Sequence, residues 1–386
     1  NATYEIDKAL SGQVKSIVES GDFTGKQESV VVLYPQQSDL SARRIILVGL
    51  GAVENFTVDI AKRCVAVGMR KARDLRSQVV ATVALGTGRG GFDVVESCRS
   101  IAEGALLGLY QYYGQKTGDA LEDTLANLKI ATYDHDTSSM DHGIKMGIAF
   151  AEGAILTRDL VNLPPNICTP DYMGQQATQM AEQVGLTIDV LGKPQIEALK
   201  MGALLAVARG SDTPPRFIIL EHNRDKASEY QTVVLVGKGV TFDTGGYSLK
   251  SQDSMVTMKG DMGGGGAVIG AMKTIAMLDL PIHVVGLIPS ADNRVSGDAY
   301  LPQEVIKASN GKTIEIISTD AEGRLLLADA LVYARRFNPN IVIDIATLTG
   351  SSVVALGAQA SSLFCTDDQV AEQLRAVGEH MRERVW

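Results

Sequence analysis

Apolar residues recur along the first part of the chain in two alternating rhythms. Residues 44–48 (RIILV) form a short continuous apolar run that predicts a buried strand. Residues 79–85 and 128–133 predict two more. Between them, 58–75 and 94–113 repeat their apolar positions at helical spacing, with Ile60, Cys64, Val67 and Leu75 on one arc of the first. Alternating strand and helix patterns imply a parallel or mixed sheet covered by helices. The polar stretch 134–141 (DHDTSSMD) breaks the rhythm and predicts a loop that supplies an N-cap. A long helix over 142–162 follows, with Ile144, Ile148, Ala151 and Ile155 on one face. It ends at Leu163-Pro164-Pro165, because proline cannot continue a helix and restricts the residue before it.

The second half is richer in strands. Residues 216–220, 232–236, 283–288, 313–317 and 341–345 are short apolar runs, mostly the near-continuous Val/Ile/Leu type of a sheet buried on both faces. Helices are expected after Asp171, after Gly266 and after Glu322. The pattern predicts a two-domain α/β protein. A smaller N-terminal α/β domain covers 1–140, a linker helix 141–165, and a larger C-terminal domain with a mixed, helix-flanked sheet 166–386. The chain opens on Asn1 without a charged-then-apolar leader and stops at Val385-Trp386 without a helix stop signal. Trimming at one or both ends is therefore expected.

Composition narrows the chemistry. At 45% apolar and 21% charged residues the chain is globular, and no apolar run approaches the roughly 18 residues of a membrane helix. A net charge of −9 argues against nucleic acid as the main partner. Four scattered cysteines without CxxC spacing exclude a disulfide scaffold and fit a reducing compartment. The five histidines (His135, His142, His222, His283 and His380) form no HExxH, so any metal here relies mainly on oxygen ligands.

Three motifs carry weaker signals. Gly86-Thr87-Gly88-Arg89-Gly90-Gly91 matches GxGxxG after a strand, but no acidic residue follows at the spacing a ribose requires, which favours a glycine-rich turn over nucleotide binding. Gly311-Lys312-Thr313 ends like a phosphate loop but lacks the earlier glycine, and reads as a turn before a strand. Lys62, Arg63, Arg70, Arg73 and Arg76 share one arc of the 58–75 helix and its end, either as a solvated face or as a surface for a polyanion or a partner.

Two acidic stretches stand apart. One runs from Val236-Gly237-Lys238 through Asp243-Thr244-Gly245-Gly246 and Lys250 to Met258-Lys259-Gly260-Asp261. The other is Ser318-Thr319-Asp320-Ala321-Glu322-Gly323-Arg324-Leu325. Both follow an apolar strand, and ligands of open α/β sheets sit at the carboxyl ends of strands. Four crowded carboxylates (Asp243, Asp261, Asp320 and Glu322) repel one another unless cations neutralise them, and two divalent ions would balance the charge.

These stretches resemble the leucine aminopeptidase family, the cytosol aminopeptidases, whose NTDAEGRL signature is similar to STDAEGRL here. The likeness extends to GKGVTFDTGG…K…KGDMGG with matching spacing, to Asn162-Leu163-Pro164-Pro165-Asn166, and more weakly to Gly21–Lys26. The resemblance implies that Asp243 and Glu322 bridge two metals, that Lys238 and Asp261 complete one site, and that Asp320 completes the other. It implies Lys250 and Arg324 as catalytic cations, with a bicarbonate at Arg324, and Met258 and Thr347 as lining of the pocket for the first side chain. It further implies a cytoplasmic homohexamer using manganese or zinc, with magnesium or cobalt as alternatives. Such an enzyme releases leucine-like N-terminal residues from peptides with a free amine, by attack of a metal-bridged water. Lys238 must then shed its proton, while Lys250 keeps its own to stabilise the oxyanion. Ser318 stands where the family has Asn, Thr244 where it has Ser, and Gly265-Gly266 where it often has Ala-Ala. None of these removes a ligand. A two-metal phosphoesterase and a non-catalytic polyanion-binding scaffold are the rival readings.

Overall fold

A computed structural model describes residues 2–35, 40–118, 125–132 and 137–386. The chain divides into two compact units, Asn1–Ala151 with Gly350–Trp386, and Glu152–Thr349.

The first unit contains α1 (Ala2–Ala9), α2 (Gln13–Glu19), β1 (Val30–Leu33), β2 (Ile45–Val48), α3 (Val58–Asp74), β3 (Val79–Val83), α4 (Val94–Leu109), β4 (Asn127–Ala131) and the start of α5 (Thr137–Asn162). β1 pairs antiparallel with β2, and β3 parallel with β4. Thr57 and Asp93 cap α3 and α4 by accepting from the third amide on, at Ile60 and Glu96. α3 buries Val58, Ile60, Ala61, Cys64, Met69 and Ala72. Lys62 pairs with Glu103 at 3.0 Å, Arg63 with Asp59 at 3.1 Å and Arg73 with Asp74 at 3.4 Å. Much of the basic arc is therefore already neutralised. The glycine-rich stretch at 86–91 is a turn. A Cβ at Gly86 would lie 2.7 Å from both the Phe56 and Phe92 rings, so glycine there serves packing.

The second unit continues α5 and adds α6 (Pro170–Val184), β5 (Thr187–Leu191), α7 (Lys193–Ala198), α8 (Gly202–Ala208), β6 (Arg216–His222), β7 (Thr232–Gly237), β8 (Gly239–Asp243), α9 (Gln252–Met255), α10 (Gly263–Met277), β9 (His283–Asn293), β10 (Val305–Lys307), β11 (Thr313–Glu315), α11 (Gly323–Ala334) and β12 (Ile341–Ile345). The chain then returns to the first unit as α12 (Gly350–Leu356) and α13 (Asp368–Met381). A mixed sheet runs β12-β7-β9-β6-β5, with β8 paired to the far half of β9. β12, β7, β8 and β9 are mutually parallel, and β6 and β5 join antiparallel. Strand alternation sends Val234, Val236, Val285 and Leu287 to the face covered by α8 and α11. Leu235, Val284 and Ile288 go to the face covered by α6 and α10. The expected α/β architecture with a mixed, helix-flanked sheet is the one observed.

Four local expectations need correction. α5 begins at Thr137, not 142, because Met140 finds a buried position and tertiary burial overrides the polar composition. Residues 134–136 of the expected loop, and the end of the strand expected at 128–133, lie outside the described residues. α4 stops at Leu109 rather than 113, where Tyr110 turns to an extended ψ of 130°. The strand expected at 313–317 stops at Glu315 and pairs with β10 in a separate hairpin, because the turn at Gly311 (φ 85°) closes it locally. α10 starts at Gly263, four residues early, for a packing reason given below.

Candidate metal centre

The carboxyl ends of the parallel strands gather the two acidic stretches. Lys238 sits at the break between β7 and β8, held by its amide donating to Ile345 O and by its carbonyl accepting from Gly265 N. A Cβ at Gly264 would lie 1.9 Å from Ile345 O, so α10 can approach the strand ends only with glycine there. Packing thus nucleates a helix that propensity alone would not. Asp243 ends β8. Its Oδ1 accepts from Gly245 N at 2.8 Å, an Asx turn that leads into the left-handed Gly245 (φ 85°). Asp320 lies in a 3-10 turn (Thr319–Ala321), its amide donating to Ser318 Oγ at 3.2 Å. Glu322 is the N-cap residue of α11, and Asp261 stands just before α10. Both helices present their positive ends to these acids.

Carboxylate oxygens of Asp243, Asp320 and Glu322 all lie within 4.8 Å of one another. Lys238 Nζ contacts Asp261 Oδ2 at 2.7 Å and Glu322 Oε1 at 2.9 Å. Lys250 Nζ contacts Asp243 Oδ2 at 2.9 Å and Asp320 Oδ1 at 2.5 Å. Lys238, Asp243, Asp261 and Glu322 are buried, whereas Asp320 is open to solvent. Four carboxylates around two ammonium groups leave a formal −2. At an effective dielectric of about 20, each like-charge pair at this spacing costs about 3.5 kcal/mol. Glu322 Oε2 is buried and accepts no hydrogen bond from any described group. A crowded, underneutralised oxygen set with an orphaned buried acceptor is the donor set that divalent cations take. The residues present fit metal ions.

Burial pushes the Asp261 carboxyl above its ordinary pKa, against the pull of Lys238. Burial alone would lower the Lys238 and Lys250 ammonium groups, but their carboxylate partners outweigh it and both are raised. Thr347 is exposed, yet its hydroxyl donates to Asp261 Oδ1 at 2.8 Å, and its carbonyl accepts from Lys238 Nζ at 3.0 Å.

A family model described as the cytosol aminopeptidase family, catalytic domain, matches residues 155–386, and that family's N-terminal domain matches 1–119. A probable cytosol aminopeptidase of Paraburkholderia phymatum is 41% identical over 391 residues, covering 100% of this chain and 76% of its own length. One from Syntrophotalea carbinolica is 42% identical over 388 residues, covering 99% and 77%. The chain belongs to the cytosol aminopeptidase family. Among solved structures, the bottromycin maturation enzyme BotP in complex with Mn shares 34% identity at a TM-score of 0.86, over 96% of this chain and 78% of that one. A mutant of tomato leucine aminopeptidase shares 32% at 0.86, over 99% and 73%. The protein is thus a metallo-aminopeptidase, a hydrolase acting on peptides.

Within this aminopeptidase, Lys238, Asp243, Lys250, Asp261, Asp320, Glu322 and Thr347 form one connected cluster. Arg324 is exposed and has no hydrogen bond or ion pair to that cluster among the described residues, whereas half-buried Met258 meets it through its carbonyl, which accepts from Asp261 N at 3.4 Å. Sequence reasoning missed Asn293, Tyr300 and Thr319, all buried behind the acids. The one signal for Asn293 was a polar residue closing an apolar strand. No helix of the described residues is long and apolar enough to cross a membrane.

Proposed function

We propose that this aminopeptidase works with two divalent ions, manganese or zinc, with magnesium or cobalt as alternatives. Asp243 and Glu322 would be shared between them, Lys238 and Asp261 would complete one position, and Asp320 the other. The observation that carries this reading is the trio of carboxylate oxygens within 4.8 Å, left at a net negative charge despite two lysines. Bound there, the ions would acidify a shared water for attack on the peptide and polarise the scissile carbonyl.

The chain's own residues do the rest. Lys238 Nζ would hold an ion through its lone pair once its proton has left to solvent, and Asp261 and Glu322, which it now contacts, would hold the ions beside it. Lys250 Nζ keeps its proton and donates to the oxyanion that develops on the scissile carbonyl. Neither acidic stretch contains a histidine to take a proton from the attacking water. Arg324, exposed and without a hydrogen-bond or ion-pair partner for its side chain among the described residues, would hold a bicarbonate for that task. Met258 and Thr347 line the pocket for a leucine-like first side chain. The substrate's free amine is part of the recognition, because an acylated nitrogen has no lone pair to give.

Family membership and resemblance support a homohexamer in the cytoplasm, which sedimentation and fractionation check. The functional test is hydrolysis of leucine amide against N-acetyl-leucine amide, before chelation, after it, and with each metal added back. Cleavage of the free amine alone, lost on chelation and restored by metal, is expected. Equal cleavage of the two substrates would overturn the reading.

A further inference from the structure

Asn293 closes β9 directly opposite Asp243, where the pairing of β8 and β9 becomes irregular. Its side chain is fully buried. Nδ2 donates to Asp243 Oδ1 at 2.8 Å and to the Thr319 carbonyl at 2.9 Å. A primary amide nitrogen carries two N–H groups, and each here goes to a different acidic stretch. Both partners are acceptors, so only the nitrogen can face them. The main chain reinforces the link: the Asn293 carbonyl accepts from Thr244 N at 3.0 Å and from Thr244 Oγ1 at 2.9 Å.

The Thr319 carbonyl belongs to the peptide unit that leads into Asp320. It also accepts from the Tyr300 hydroxyl at 2.8 Å. Thr319 Oγ1 donates to Gly245 O at 2.7 Å and accepts from Ser248 N at 2.7 Å. The two stretches, 77 residues apart from Asp243 to Asp320, are thus stitched behind their carboxylates. Among the described residues, Asn293 is the single side chain that bonds both Asp243 and the backbone leading into Asp320 and Glu322.

We infer that Asn293 is a positioning residue: its amide fixes the Asp243 carboxylate and the Thr319–Ala321 turn at the separation at which Asp243, Asp320 and Glu322 share cations. The inference rests on the metal reading of those acids. Without the amide, Asp243 loses a donor that aims one oxygen, and the turn keeps only the Tyr300 bond at its carbonyl. Such outer partners typically change metal affinity or activity by about 10–100-fold.

Manganese is the probe. Equilibrium dialysis with elemental analysis gives its dissociation constant, and leucine p-nitroanilide gives kcat and KM. Equal manganese binding by wild type and Asp243→Asn would sink the metal reading itself, and the inference with it. Given Asp243-dependent binding, Asn293→Leu keeps the side chain's size and removes both donors. It should weaken manganese binding about 10–100-fold and lower kcat at saturating metal, with KM nearly unchanged. Asn293→Ser, with one O–H donor, should fall in between, and Tyr300→Phe should lose less than either. A folded Asn293→Leu with manganese affinity and kcat within about twofold of wild type, whatever its melting temperature, would overturn the positioning role and leave the metal reading intact. If the leucine variant does not fold, unchanged affinity and kcat in Asn293→Ser overturn it equally.

Discussion

Replacing Glu322 by glutamine should strengthen the metal-free protein and weaken the metal-loaded one. Glu322 is 2% exposed, and its oxygens lie within 4.8 Å of those of both Asp243 and Asp320. At an effective dielectric of about 20, the two repulsions cost about 7 kcal/mol, and the Lys238 ammonium at 2.9 Å returns about 6. Keeping a carboxylate charge out of water costs several more. The neutral amide removes the repulsion and the desolvation together, and its N–H groups can donate to the neighbouring carboxylates. A net gain of about 1–3 kcal/mol is expected in chelator, which raises the melting temperature by several degrees. With manganese at a hundred times its dissociation constant, the wild type gains about 2.7 kcal/mol per ion, about 5.4 for two, and the variant forfeits most of that along with its activity. The stability order of the two proteins should therefore invert between chelator and manganese. Calorimetry of both proteins in both buffers reads this directly. If glutamine destabilises the chelated protein, or if manganese shifts both melting points alike, the electrostatic argument is wrong.

Three further outcomes follow from the same geometry. Gly264→Ala should destabilise by about 1–3 kcal/mol or prevent folding, because its Cβ meets Ile345 O at 1.9 Å. Gly266→Ala, two residues on in the same helix, meets side chains alone, the flexible Met262 Cε at 3.3 Å and Thr157 and Leu160 at ordinary contact distance, and should stabilise by about 0.5–1 kcal/mol in urea titrations; equal effects would refute the close-approach argument. Burial holds the Asp261 carboxyl above its ordinary pKa of 3.8, so the metal-free fold binds a proton that the unfolded chain releases. Its contribution to stability therefore falls as pH rises above that value, and bound metal, which favours the ionised form, should cancel the fall. Comparing wild type with Asp261→Asn across pH 4 to 7, in chelator and in manganese, checks the sign, and identical slopes in the two buffers would contradict it. Iodoacetamide at pH 8 should label only Cys365 in the native protein, since Cys64, Cys98 and Cys168 are buried and burial pushes the Cys168 thiol up to about 12. Native labelling of Cys168, read by mass spectrometry, would contradict the packing around it.

What could be read from the sequence was whatever carries a period or a spacing. Apolar runs such as 232–236 and 283–288 announced the central strands, because a strand buried on both faces leaves little room for polar residues. The acids could be read as one set because charge crowding is legible without coordinates. Short elements were not legible. β8 (Gly239–Asp243) was not among the expected strands and is one by pairing with β9. α10 begins in four glycines, the weakest helix formers short of proline, and is held by its fit against Ile345 and Ile288. The donation of the Thr347 hydroxyl to Asp261 was equally invisible, since the two lie 86 residues apart. Asn293 and Thr319 escaped notice because lone polar residues carry no pattern, and their meaning lies in what the fold brings opposite them.

The account stands on five side chains, Lys238, Asp243, Asp261, Asp320 and Glu322, holding a pair of divalent ions. Metal-to-protein stoichiometry after loading with manganese and gel filtration measures this most directly, for wild type beside Asp243→Asn. Two ions per chain in the wild type, and at most one in the variant, is the expected result. Fewer than two in the wild type, or the same number in both, would contradict it.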